Sequence, residues 1–294
     1  MASGVKTIVA TGLSSGLGFE ALKQLLLRTT PFKIIIGVRD TRNTNDAISK
    51  LDFDRAAHAV TVLPVDLSSL TNVKSFAKQA LDTVGQGNID YLLMNAGLSS
   101  SAVGPGPHGS RWCEAAVVNH FSQHYLVHLL REKLVASKGR IVVVSSGAVR
   151  NVDDPGTLEE TLKADSGADV RPVYAGSKFI QLLGAHWWRR QLRGQCDVVA
   201  VSPGLIPNTG LGRHGGMTIP ANLPDAKTIP EGAASILEAL ARNDFPEDPD
   251  RIFLTSWGEW WDVSVIEKTT DKALQDKWSP GIGELERDAG IATE

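Results

Sequence analysis

Tyr174 and Lys178 stand four residues apart in the stretch Tyr174-Ala175-Gly176-Ser177-Lys178, one turn along a common helix face. A carbonyl group that accepts a hydride at carbon develops negative charge on its oxygen and needs a proton donor beside it, and a phenol can be that donor. A free phenol, with a pKa of about 10, is poorly matched to neutral pH, and a nearby ammonium favours its ionised form. Lys178 is therefore expected to lower the pKa of Tyr174. Such a pair alone is usually just a helix face, so the elements around it must decide.

The second cluster of interest is Thr11-Gly12-Leu13-Ser14-Ser15-Gly16-Leu17-Gly18, with the glycine spacing G-x3-G-x-G. It lies between an apolar run and a helical pattern. Glycines permit the sharp turn and let a backbone approach a pyrophosphate, which the free N–H groups and dipole of a helix N-terminus stabilise. About 20 residues on, the chain reads Ile36-Gly37-Val38-Arg39-Asp40. A carboxylate at this place would bind a ribose 2′-hydroxyl, whereas an arginine accommodates a 2′-phosphate. Arg39 thus favours NADPH/NADP+ over NADH, the competing reading being a solvated Arg39 paired with Asp40.

These residues need a scaffold, and the pattern supplies one. Short runs rich in Val, Ile and Leu fall at 7–10, 33–38, 59–65, 89–94, 140–145, 197–201 and 251–254. They show little alternation, as expected of parallel strands buried on both faces. Helical patterns lie between them at 18–28, 70–84, 112–137, 174–192 and 231–241. The predicted fold is α/β: a Rossmann-type, doubly wound, mostly parallel seven-stranded sheet with helices on both faces. Three segments break the rhythm: a polar insertion over 151–173, a Gly- and Pro-rich stretch over 204–230, and a tryptophan-bearing extension over 255–294. A long irregular stretch inside a compact domain is usually a lid or a binding loop, so 204–230 is expected to be a substrate lid.

The motifs together resemble the short-chain dehydrogenase/reductase family over roughly residues 5–255. They are the glycine turn, Asp66-Leu67, Asn95-Ala96-Gly97, Asn119, Ser145-Ser146, Tyr174 with Lys178, and Pro203-Gly204, in that order. The resemblance implies that Asn119, Ser146, Tyr174 and Lys178 form a catalytic tetrad. In it Ser146 polarises the substrate oxygen, Lys178 also holds the nicotinamide ribose, and Asn119 supports a water relay. Ser146 is preferred to Ser145 because the family's active hydroxyl is typically the second of the pair; Ser145 would then face the other way by strand alternation.

The cofactor contacts it implies are Gly12, Ser14, Ser15, Gly16, Leu17, Gly18, Arg39, Asp66, Leu67, Asn95, Ala96, Gly97, Tyr174, Lys178, Pro203, Gly204, Ile206 and Thr209. Asp66 would meet the adenine, and Asn95 would brace the cofactor half of the site. Within the family the chain is most similar to the branch of protochlorophyllide reductases and retinol-type dehydrogenases. The features shared are Gly37-Val38-Arg39-Asp40, the run from Pro203 to Leu211, and the insertion before Tyr174. Leu205 and Asn208 depart from the Cys and Thr common in the protochlorophyllide enzymes, which points to a dark reductase rather than a photochemical one.

Composition excludes other classes. The chain has 294 residues with 30 Lys and Arg against 33 Asp and Glu, a formal net charge of −3, which argues against a nucleic-acid binder. Two cysteines, Cys113 and Cys196, exclude a disulfide scaffold and fit a reducing compartment. No apolar run approaches the roughly 20 residues of a membrane span, and no targeting segment stands out, so a cytoplasmic location is expected. His120, His124 and His128 repeat every four residues, but without a carboxylate or thiolate ligand nearby they suggest a packed helix or a subunit surface, and no metal site is expected. Of Trp187 and Trp188, one should be core and the other an interface anchor.

The expected activity is hydride transfer between NADPH and a carbonyl or alcohol, with Tyr174 as general acid/base, in a single domain. Two alternatives stay open: reduction of an activated C=C bond, and a non-catalytic NADP-binding sensor or scaffold, against which the intact tetrad speaks. Leu205, Ile206, Leu211, Met217 and Ile219 suggest an apolar or aromatic small-molecule substrate. Its choice should come from the insertion, the lid and Trp257, Trp260, Trp261 and Trp278, although core packing accounts equally well for the first three of these tryptophans. Monomer and homo-oligomer are both compatible with the sequence.

Overall fold

The computed structural model describes residues 4–207, 210–212, 223 and 226–292. Seven strands form one sheet: β1 (Lys6–Thr11), β2 (Phe32–Val38), β3 (Ala59–Pro64), β4 (Tyr91–Met94), β5 (Arg140–Val144), β6 (Asp197–Val201) and β7 (Phe253–Leu254). Their order is β3-β2-β1-β4-β5-β6-β7, and every neighbouring pair is parallel. The order reverses between β1 and β4, which opens a crevice at the carboxyl ends of the strands. Strand alternation feeds two cores. Val9, Ile35, Leu92, Ile141 and Val143 join one face; Ile8, Ala10, Ile34, Ile36, Val142 and Val144 join the other.

The helices are α1 (Gly16–Leu26), α2 (Thr41–Ser49), α3 (Leu70–Val84), α4 (Glu114–Ala116), α5 (Ser122–Ala136), α6 (Leu158–Leu162), α7 (Val170–Gln191), α8 (Ile229–Ala241), α9 (Val263–Ile266), α10 (Lys272–Lys277) and α11 (Ile282–Asp288). No helix among the described residues is long and apolar enough to cross a membrane. Three elements differ from expectation. β4 starts two residues late because the Asp90 carboxylate accepts from the Thr7 N–H at 2.8 Å and from Lys6 Nζ at 2.8 Å, ending the crossover there. The helix expected over 112–137 contains a π-helical turn, Val117–Phe121, between α4 and α5. α2 was not expected, since Thr, Asn and Asp dominate it; it forms because Asp40 caps it through the Asn43 N–H.

The insertion is packed. Leu158 and Leu162 of α6 are buried and press on α7 at Gly176, where a Cβ would stand 3.1 Å from Leu158. Leu162 O also accepts from the Cys113 N–H at 2.8 Å. α6 therefore buttresses the helix turn that separates Tyr174 from Lys178.

The C-terminal segment covers the outer side of α5 and α7. Trp278 is buried against Trp112 and Phe121, with ring centroids 5.2 and 6.3 Å away. His120 Nε2 lies 2.6 Å from Trp278 O, and His124 Nε2 lies 3.1 Å from Pro280 O. Trp188 donates its indole N–H to His124 Nδ1 at 2.9 Å, which places the His124 proton on Nε2. The histidine row is thus a packed helix face that anchors the tail. Trp188 is core, and half-buried Trp187 bonds Asp276.

Burial lowers His120, His128 and His186 to a pKa of about 4 and drives His124 well below 6.5. Between pH 6.5 and 4 the unfolded chain therefore binds more protons than the folded one. Stability from these residues is full above 6.5 and is lost as pH falls through that window. Urea midpoints followed by tryptophan fluorescence should be flat from pH 8 to 7 and decline from 6.5 to 4. His120→Gln should flatten part of the decline, and an unchanged slope would remove His120 from this account.

Candidate active site

The crevice at the switch point is a cleft of about 380 Å³. Its floor is the glycine turn. Ser15 begins α1 without a side-chain cap, so the first-turn amides of Gly16, Leu17 and Gly18 point into the cleft without intrahelical acceptors. The glycines serve two needs. A Cβ on Gly18 would stand 2.0 Å from Gly12 O, and one on Gly12 would stand 2.5 Å from the Ala96 backbone, so both are set by close packing within the protein. Gly16, at φ +55°, would put its Cβ in open space. Asn95 Nδ2 donates to Gly12 O at 2.7 Å and ties β4 to this turn.

Along the cleft lie Gly12, Ser14, Ser15, Arg39, Asp66, Leu67, Asn95, Ala96, Gly97 and Pro203. Asp66 accepts from the Ser68 N–H at 2.9 Å, which orients its carboxylate, and Leu67 O is held by Ser122 Oγ. Arg39 is exposed, and Asp40 is occupied by Asn43, so among the described residues Arg39 has no ion-pair partner. The pairing of Arg39 with Asp40 weighed from the sequence is not formed.

Tyr174 and Lys178 line the other end of the cleft on α7. Ser146 stands beside Tyr174 and caps the following turn by accepting from the Ala148 N–H at 3.1 Å. Ser145 lines the cleft whereas Ser146 and Asn119 lie outside its lining, the reverse of the orientation expected for the two serines, because β5 ends at Val144 and strand alternation stops there. The buried Ser145 hydroxyl has no protein partner among the described residues. Asn119 sits in the π turn. Its Oδ1 accepts from the Leu98 N–H at 2.8 Å, and its Nδ2 donates to Leu98 O and to Ser177 Oγ, both at 2.9 Å. It thereby fixes the loop after β4 to the middle of α7.

The electrostatics correct one expectation. Tyr174 is buried, and burial raises its pKa above 10, with the Ser146 hydroxyl pulling it partly back. Lys178 does not lower it, because burial brings the lysine's own pKa down to about 7. Nζ instead donates to Val144 O at 2.9 Å and Gln181 Oε1 at 3.1 Å. Gln181 was missed from the sequence; its one signal was a polar residue three positions after Lys178 in an otherwise apolar stretch.

Some expected residues lie off the cleft. Gly204 packs against Ser256 and Lys227, and Ile206 is buried against Gly232 at the start of α8. Thr209, Asn208, Met217 and Ile219 lie outside the described residues. Gly210 and Leu211 do line the cleft. Among the described residues, neither the insertion nor any of the four tryptophans does, because those segments pack against α5, α7 and β7 instead. A second cavity of about 570 Å³ lies under the tail, floored by Trp112, Phe121 and Trp278, and holds none of the tetrad. Cys113 and Cys196 are buried, which pushes both thiols up and leaves them poor nucleophiles.

A parallel sheet with a glycine turn at its switch point and a Tyr–Lys pair beyond it is the architecture of a nicotinamide-dependent oxidoreductase. The chain belongs to the short-chain dehydrogenase family, oxidoreductases that use a nicotinamide cofactor: the family's model, described as short chain dehydrogenase, matches residues 6–155. A short-chain dehydrogenase/reductase of Pestalotiopsis microspora is 55% identical over 286 residues, which is 96% of this chain and 98% of that protein. Human retinol dehydrogenase 13 is 29% identical, covering 72% of this chain and 62% of its own length. Among solved structures, the NADPH-bound carbonyl reductase from chicken fatty liver shares the fold with a TM-score of 0.66. It is 18% identical and covers 87% of this chain and 94% of that one.

Proposed function

We propose that the protein is an NADPH-dependent reductase of a carbonyl group on an apolar or aromatic small molecule, also able to oxidise the corresponding alcohol. The observation that carries this reading is one cleft lined by the α1 turn, by Arg39, which has no ion-pair partner among the described residues, and by the Tyr174–Lys178 pair. The donor set fits such a cofactor. Amides without acceptors suit the pyrophosphate, and the space where Gly16 lacks a Cβ leaves room for it. The free guanidinium of Arg39 suits a 2′-phosphate, and the NADPH bound to the carbonyl reductase of like fold supports the same choice.

When bound, the cofactor supplies a hydride. Tyr174 gives its phenolic proton to the substrate oxygen, on which negative charge develops. Ser146, beside Tyr174, donates a hydrogen bond to that oxygen. Lys178 holds ribose hydroxyls, and Asn119 keeps the loop after β4 against α7 so that this group stays assembled. Gly210 and Leu211 line the cleft, and the whole chain works as a single reductase domain.

Consumption of NADPH and of NADH, followed by absorbance across ketones, aldehydes and enones, tests the reading. Turnover of a ketone or aldehyde with NADPH is expected. Tight NADPH binding with no consumption anywhere in the panel would overturn it. Arg39→Ala should weaken NADPH by about 10-fold or more, the worth of a charge-assisted contact, with little change for NADH. Equal losses for the two cofactors would remove Arg39 from the choice.

A further inference from the structure

α7 carries a polar side chain in the middle of an apolar stretch. Gln181 is only 4% exposed, and its chain neighbours Ile180, Leu182 and Leu183 are fully buried or nearly so. Its Oε1 accepts from Lys178 Nζ at 3.1 Å, while its Nε2 is buried without a partner among the described residues. An unpaired amide N–H in the core is a standing cost. A leucine would fill similar space without it, so packing gives no reason for a carboxamide here. The lysine gives one.

We propose that Gln181 is a positioning residue for Lys178, its carboxamide oxygen holding the buried ammonium charged and aimed at the cleft. The proposal rests on the reading of Lys178 as a cofactor-holding group. An ammonium has three donors. Val144 O and Gln181 Oε1 take two of them, and Lys178 itself lines the cleft, which leaves one donor for a bound ribose. Gly97 closes in on the same amine, since a Cβ there would stand 3.3 Å from Nζ. A carboxylate at 181 would cancel the charge, whereas an amide accepts the hydrogen bond and leaves the charge in place.

The titratable groups around the amine are few. Tyr174 on α7, Glu114 on α4, and Asp66 and Arg39 beyond β3 and β2 share the cleft, and His120 of the π turn meets α7 at Gly184. No carboxylate among the described residues bonds Lys178.

The test is trace acetylation of the purified full-length protein with acetic anhydride from pH 5 to 9, before any cofactor is added. Modification of Lys178 is read by peptide mass spectrometry, and thermal midpoints are measured alongside. The wild-type midpoint is expected near 7, where burial places this amine. Gln181→Leu removes an acceptor from the ammonium and should lower the midpoint by about 1–2 pH units. Gln181→Glu should raise it, and Gln181→Asn, one methylene shorter, should fall between wild type and leucine.

Coincident profiles for wild type and Gln181→Leu would overturn the proposal. Should the leucine variant not fold, an unshifted Gln181→Glu profile would do so. Because labelling is read without turnover, this result stands apart from the reductase reading. Retained activity in a Tyr174 variant would sink that reading and leave the Gln181 result untouched.

Discussion

Tyr174→Phe is expected to reduce turnover by about 10²–10⁴-fold, the usual worth of a positioned proton donor, while NADPH binding changes little. The ring is buried on α7 against packed neighbours, and phenylalanine keeps that packing. What it removes is the hydroxyl beside Ser146. Direction matters here. Burial holds the phenol protonated through neutral pH, which suits donation during carbonyl reduction. Alcohol oxidation needs the phenolate, so its rate should climb as pH rises above 7 while the reductive rate does not. Turnover that survives in the phenylalanine variant would remove Tyr174 from the mechanism.

Gly18→Ala should be the most damaging single methyl in the cofactor half. Its Cβ would stand 2.0 Å from Gly12 O and 2.4 Å from Asn95 Nδ2, so the bond from Asn95 to Gly12 must break or the turn must move. Overpacking of this kind costs about 1–3 kcal/mol, and the displaced turn carries the amides proposed to bind pyrophosphate. A lower thermal midpoint together with NADPH affinity reduced by about tenfold or more is the expected pair of results. Gly16→Ala makes the contrast. Its methyl meets nothing within 4 Å, so the protein loses only the cost of a positive φ, about 1–2 kcal/mol. Its binding loss should then exceed its stability loss. If both variants kept wild-type affinity, the turn would not be the phosphate site.

The sheet was legible because its strands are buried on both faces and announce themselves as unbroken Val, Ile and Leu runs. All seven begin and end within two residues of the expected limits. β7 is trimmed at its start to Phe253, since the Arg251 and Ile252 N–H groups bond back to Asp248 O and Asp250 O. The cleft was legible too, since the glycine turn, Asn95-Ala96-Gly97 and the Tyr–Lys pair each occupy a strand end or helix face dictated by the fold.

What the sequence concealed depends on contacts between distant segments. Nothing local marks Val117–Phe121 as a π turn, because the turn exists to bring Asn119 under Leu98 and Ser177. The insertion looks like a polar loop until Leu158 and Leu162 find α7. The ionisation of Tyr174 followed burial rather than the nearby lysine, and burial is a property of the whole chain. The same holds for Trp278, whose neighbours Trp112 and Phe121 lie more than 150 residues earlier.

That docking of the tail also orders events in time. His120 and His124 find their carbonyl partners only at Trp278 and Pro280, 158 and 156 residues further along. Synthesis proceeds from the N-terminus, so α5 and α7 emerge from the ribosome and meet the sheet while their outer face is still bare. Trp112 and Phe121 then lack the Trp278 ring that packs on them in the finished fold. The face of α5 is therefore completed last, by the final turns of the chain to be made.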